Sequence, residues 1–197
     1  MTALELELRR AVRALRGPHY NRLRAAGVSW SAMESAAIAN PFALGVARAE
    51  IDGEHWVPSE TGKPVFVTGI DAVVWTPEGF GWAWIDAIAW TPGEPMRWYS
   101  RTGLGVILGT DHLDRARYPI MGEADPLILH QSALDWLHAG GDGAVVLNWS
   151  GAASALMGAT RIAAPDHETA RRLDQILNLK APDCVIRLIE SDVCHAA

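Results

Sequence analysis

The chain is poor in cysteine and has no long apolar run, and both shortages narrow what it does. Cys184 and Cys194 are its only cysteines. They lie near the end and not in CxxC spacing, so they offer no zinc site by themselves and suit a reducing compartment. No window reaches the roughly 18 uninterrupted apolar residues of a membrane span. The opening MTALELELRR places acids inside its first apolar turn, unlike a secretory signal, and the expectation is a cytoplasmic protein. Also missing are a glycine-rich phosphate loop, a dinucleotide fingerprint, a GxSxG elbow and an HExxH helix. Ser150-Gly151 has no partner that spacing identifies as a base, so nucleophilic catalysis has no support. No internal repeat or low-complexity segment is present.

What is there describes a globular chain. Of 197 residues 49% are apolar, enough for one domain with a substantial core, with or without a small helical appendage. The net charge of −6 is unevenly spread. Residues 1–24 carry Arg9, Arg10, Arg13, Arg16, Arg22 and Arg24 against Glu5 and Glu7, which makes that segment +4 and the remainder −10. The acidic body argues against a strong, non-specific grip on a phosphate backbone. The arginine-rich start is either the solvated face of an amphipathic helix or a surface for nucleic acid or a partner. Among nine tryptophans, Trp75, Trp82, Trp84 and Trp90 sit at strand-like spacing. They are expected in the core or on a sheet surface rather than as base-stacking platforms.

Leu4, Leu8, Ala11, Val12 and Leu15 recur at helical spacing, with Gly17-Pro18 expected to end that helix. A second helix is expected over Tyr20 to Ala26, stopped by Gly27, and Ser29 caps a third reaching about Ala39. From Gly45 come short runs, GVARAEI, PVFVTGI, AVVWT, WAWIDAIAW and MRWYS, separated by turn signals, which read as an antiparallel meander. After Arg101, PLILHQ, AVVLNW, TRIAAPD and CVIRLIE alternate with helical stretches, the pattern of a parallel α/β sheet. The expected fold is therefore α+β with an α/β part. Its divisions are an N-terminal helical segment (1–42), a mixed or antiparallel β subdomain (43–110) and a parallel βαβαβα subdomain (111–197).

In parallel sheets the working residues collect at the carboxyl ends of the strands. Here these are His130-Gln131-Ser132, Asn148-Trp149-Ser150, Pro165-Asp166-His167-Glu168 and Glu190-Ser191-Asp192. Asp135, Asp166, Glu168, Glu190 and Asp192 are candidates for a carboxylate cluster that holds a hard cation such as Mg²⁺ or Mn²⁺. Asp166 and Glu168, two apart in extended backbone, face one side. The competing reading is that Asp166 caps a helix whose first turn is acidic. His130 is a candidate base or a hydrogen-bonded structural histidine.

LILHQSALD, VVLNWSGAAS and RIAAPDHETARR together resemble the Toprim domain of DnaG-type primases, topoisomerases and some nucleases. In that family an apolar strand ends in glutamate, as (L/V)EG(Y/x)xD, and a later strand ends in DxD followed by AG and a basic helix. Gln131 stands for the glutamate, Ser132 for the glycine, and Asp135 matches the following aspartate. Asp166 matches the first aspartate of DxD, Glu168 replaces the second, and Arg171 stands for the glycine. Upstream, Tyr20, Leu23, Gly27 and Val28 resemble the helical start of the primase catalytic core. The runs from GKPVFVTGIDAVVW to RWYSRTG resemble its mixed sheet, so the likeness spans about residues 19–192. Zinc-binding and helicase-interaction modules have no counterpart.

The resemblance implies metal-dependent nucleotidyl transfer or phosphodiester hydrolysis, but Gln131 neither takes up a proton at neutral pH nor lends charge to an ion. Glu168 moves its carboxylate outward by about 1.5 Å, against a strict Mg²⁺ octahedron. The expectation is a primase-like protein of DNA metabolism, phage or mobile-element derived, with a degenerate site. It would act by binding single-stranded DNA, a replication protein or another protein partner. An active Mg²⁺-dependent primase or nuclease and an interaction scaffold with no nucleic-acid role are the alternatives.

Overall fold

The computed structural model describes residues 2–76, 79–117, 125–177 and 185–188. It is a mixed α+β fold with two sheets and N-terminal helices. Helix α1 (Ala3–Arg13) starts where the Thr2 hydroxyl accepts the Glu5 N–H at 3.1 Å. It ends before Gly17-Pro18. That pair instead opens α2 (Gly17–Ala25), because a proline in a first turn gives up an N–H that has no helical partner. Gly27, at φ +95°, stops α2, and the Ser29 hydroxyl accepts from Ala32 to cap α3 (Trp30–Ala39).

Strands β1 (Gly45–Asp52), β2 (His55–Pro58), β3 (Lys63–Thr76), β4 (Gly79–Thr91) and β5 (Glu94–Ser100) close into a barrel in the order β1-β2-β5-β4-β3. The expected meander is thus corrected to a closed barrel, whose seam is a parallel contact of His55 with Ser100. PVFVTGI and AVVWT are one strand, since β3 pairs with β4 through Thr76 and absorbs only a register shift at Ile70/Asp71. Ala49, Trp56, Val65, Val67, Ala87 and Ala89 fill the barrel, and α1 plugs it with Leu8 and Ala11. Trp56 donates its Nε1–H to the Ala87 carbonyl at 2.9 Å, so its burial leaves no polar atom unpaired. On the outer face Phe66 stacks on Trp90, their centroids 5.3 Å apart, in a core shared with α3 and with Leu134, Trp136 and Leu137 of the second sheet.

That second sheet contains β6 (Ile107–Leu108), β7 (Leu127–His130), β8 (Ala144–Val146), β9 (Arg161–Ala164) and β10 (Val185–Leu188), in the order β10-β9-β7-β8-β6. Helix α4 (Thr110–Arg117) follows β6, and α5 (Ala133–His138), α6 (Trp149–Ala155) and α7 (His167–Leu177) follow β7, β8 and β9. Strands β7 to β10 are mutually parallel where they pair, as their alternation with helices predicts, while β6 runs antiparallel to β8. The chain leaves β7 toward β8 on one side and leaves β9 toward β10 on the other. The β7/β9 boundary is therefore where the winding reverses, the usual place for a crevice at strand carboxyl ends.

Candidate functional site

The polar triplet after β7 divides its labour. Ser132 caps α5 by accepting the Asp135 N–H at 3.1 Å, and its hydroxyl donates to Asp135 Oδ2 at 2.7 Å. Asp135 is thereby folded back onto its own helix start. Gln131 reaches the other way, donating its Nε2–H to Asp166 Oδ2 at 2.6 Å across the β7/β9 boundary. His130 is bonded through Nε2 to the Asp142 carbonyl at 2.8 Å, a structural contact with the loop before β8.

Asp166 is the cap of α7. Its Oδ1 accepts the Thr169 N–H at 2.7 Å and its Oδ2 accepts the Thr169 hydroxyl at 3.1 Å. The Thr169 N–H and then the Gln131 amide favour the ionised carboxylate and hold Asp166 below the ordinary aspartate range. Both of its oxygens already have donors from the chain. Among the described residues no three His, Cys, Asp or Glu side chains stand close enough to hold a metal ion. As placed, Asp135 is turned to Ser132 and Asp166 to Thr169 and Gln131, and Glu190 and Asp192 lie outside the described residues.

What surrounds Gln131 and Asp166 is a cleft. Met96 and Trp98 of the barrel face Trp149, Glu168 and Arg172 across a cavity of about 250 Å³. It adjoins a larger one of about 650 Å³ that shares Trp98, Trp149 and Arg172 and is lined by His55, Thr102, Asn148 and Ser150. The Arg172 guanidinium lies 4.2 Å from the centroid of the Trp149 ring. One flat aromatic edge and one exposed cation thus sit at the mouth of the crevice. Trp149 stood at a strand end that the alternation pattern already marked. Nothing local signalled Trp98 or Arg172, which reach the cleft only because the barrel packs against the sheet.

The arginines of residues 1–24 are all exposed. Several are turned inward to their own neighbours. Arg9 is paired with Glu5 at 2.8 Å, Arg16 donates to the Arg13 and Leu15 carbonyls, and Arg24 lies 6.0 Å from the Trp30 ring centroid. Arg10 lines one barrel-end cavity and Arg22 another. Arg13 is exposed in the last turn of α1, where its charge suits the helix C-terminus. No described helix is long and apolar enough to cross a membrane. No family model, curated protein or solved structure matches the chain.

Proposed function

We propose that this chain is a primase-like Toprim protein of DNA metabolism whose catalytic site is degenerate and which acts by holding single-stranded nucleic acid in the cleft between barrel and parallel sheet. The observation that carries the reading is the Gln131–Asp166 contact at 2.6 Å. The two positions matched to the family's strand-end glutamate and first aspartate are neighbours at the winding reversal, and an amide stands where the resemblance calls for an acid.

The substitution has a direct chemical consequence. An amide that donates to a carboxylate neutralises none of its charge and occupies one of its acceptor sites, and it cannot take up or deliver a proton or add a negative charge beside an ion. What remains is recognition. Trp98 and the side of Trp149 away from Arg172 are the surfaces on which an unpaired base would stack, with Arg172, over the other side of Trp149, as the cation. With −10 on the rest of the chain, affinity is modest and strongly salt-dependent.

Anisotropy of a labelled oligothymidylate, titrated with protein at low salt, tests this. Binding at about micromolar concentrations, lost as salt rises, unchanged by EDTA and weakened about ten-fold by Arg172→Ala is expected. Absence of salt-sensitive binding, or equal binding by the Arg172→Ala variant, removes the cleft as the site.

A further inference from the structure

The barrel's inner face does not stop at the barrel. Residues 65, 67 and 69 of β3 point inward, and after the register shift at Ile70/Asp71 the same face continues through Asp71, Val73 and Trp75, opposite Trp84, Trp82 and Phe80 of β4. Trp84 closes the barrel end against Phe42, their centroids 4.6 Å apart. Thr110 at the start of α4 donates to Asp71 at 2.8 Å beside it, and beyond that contact the two strands run on as a ribbon whose remaining side chains on this face are half to mostly exposed. Val73 is 49% exposed, Trp75 72%, Phe80 78% and Trp82 54%. Trp75 and Phe80 touch edge to face at 5.1 Å, so the tip aromatics pack on one another and on little else. The reverse face carries Ala72, Val74, Gly81 and Ala83, small residues that give a flat back.

A contiguous apolar face of several hundred square ångströms is about as large as the largest patch a monomer exposes, and patches of that rank are often functional. Its occupant is constrained by charge. Residues 71–84 include two charged side chains, Asp71 and Glu78, both acidic. A phosphate backbone finds no cation there, and stacked bases need cations alongside that this ribbon lacks. A partner face that is itself neutral and aromatic meets no such penalty, and the ribbon of another molecule has that composition. Three half-exposed to mostly exposed aromatics present roughly 400 Å² of surface. Two such ribbons face to face, with the valines, bury on the order of 1,000 Å², the total that a specific contact requires. A two-fold axis makes the contact self-complementary and closed.

We propose that the β3–β4 ribbon is a homodimerisation arm, in which Val73, Trp75, Phe80 and Trp82 pack against the same residues of a second copy of this chain. The contact is independent of the Gln131–Asp166 cleft and of any activity assigned to it.

Sedimentation velocity of the full chain across about 1 to 100 µM tests it, beside the Trp75→Ser/Trp82→Ser double variant. The wild-type chain is expected to sediment as a dimer at the upper end, and to do so equally in low and high salt. The double variant is expected to remain monomeric there, and to melt close to wild type at about 1 µM, where the wild-type chain is monomeric as well. Val73→Lys, which puts a charge in the contact and touches no ring, is expected to weaken association about ten-fold or more. A wild-type chain that stays monomeric throughout overturns the proposal. So does a double variant that dimerises as well as wild type, or a monomer whose arm tryptophans are protected by an oligonucleotide instead.

Discussion

The amide of Gln131 and the carboxylate of Asp166 meet at 2.6 Å between the carboxyl ends of neighbouring parallel strands. Replacing Gln131 by Glu puts two carboxylates at that separation, and like charges so close do not both ionise without cost. The variant is expected to melt below wild type at pH 7, and to lose that difference both at pH 4 and at pH 7 with Mg²⁺. Thermal melts with and without Mg²⁺ check this; a variant that ignores both pH and Mg²⁺ shows that the two side chains part freely. Asp166→Ala removes the α7 cap and costs about 1 kcal/mol, with Mg²⁺ making no difference.

Asp86 makes a second prediction because it is buried and ties the barrel to the sheet. Its oxygens accept N–H groups from Arg101 (3.0 Å), Thr102 (2.8 Å) and Gly105 (2.8 Å) and the Ser100 hydroxyl (2.6 Å), which fixes the segment joining β5 to β6. Burial pushes this carboxyl up, but the Ser100, Gly105, Thr102 and Ala87 donors outweigh it and hold it below the ordinary range. The folded state therefore binds the proton less readily than the unfolded chain. The stability this contributes is complete above the ordinary aspartate range and drains away as pH falls through the lowered value. Asp86→Ala strands several buried donors and is expected to cost on the order of 3 kcal/mol or more, with Asp86→Asn intermediate. Urea unfolding of the two variants decides; a loss under about 1 kcal/mol would mean the loop finds other acceptors.

His112 supplies the third. Its Nδ1 lies 2.7 Å from Asp142 Oδ1, and its Nε2 faces the Arg115 guanidinium at 3.0 Å. Burial and then the Arg115 charge depress its basicity, with Asp142 and Asp111 opposing and His130 adding slightly to the depression. A neutral ring donates to Asp142 and accepts from Arg115, whereas a protonated ring faces a donor with a donor. Its contribution is full above the ordinary histidine value of 6.5 and is lost as pH falls through the depressed one. His112→Gln keeps both bonds without titrating, so its stability is expected to stay flat between about pH 7 and 5 where wild type declines. Parallel curves for the two proteins would remove His112 from the acid response.

Much of the fold was legible in local pattern. Ser29 and Ser132 announce their caps, Gly27 its stop, and the alternation of apolar runs with helical stretches announces the parallel strands. Three things were not. The barrel closes through a single parallel contact, His55 with Ser100, between strands that sequence spacing does not link. β6 is two residues long and leaves no periodic signal. Gly17-Pro18 reads equally as an end and a beginning until the helix before it is seen to stop at Arg13.

The sequence by itself determined which residues stand at strand ends, because apolar runs and caps are local properties of the chain. It marked Gln131, Asp166 and Trp149 in that way, and Asp135 in the helix that follows. Tertiary structure alone decided which of them meet. Asp135 turns back onto Ser132, Gln131 crosses to Asp166, and Arg172 settles over Trp149, since side-chain partners across strands depend on sheet order and not on spacing. The same holds for the tryptophans. All four read alike as strand residues, and only the register shift and the barrel's end separate the buried Trp90 from the solvated Trp75 and Trp82.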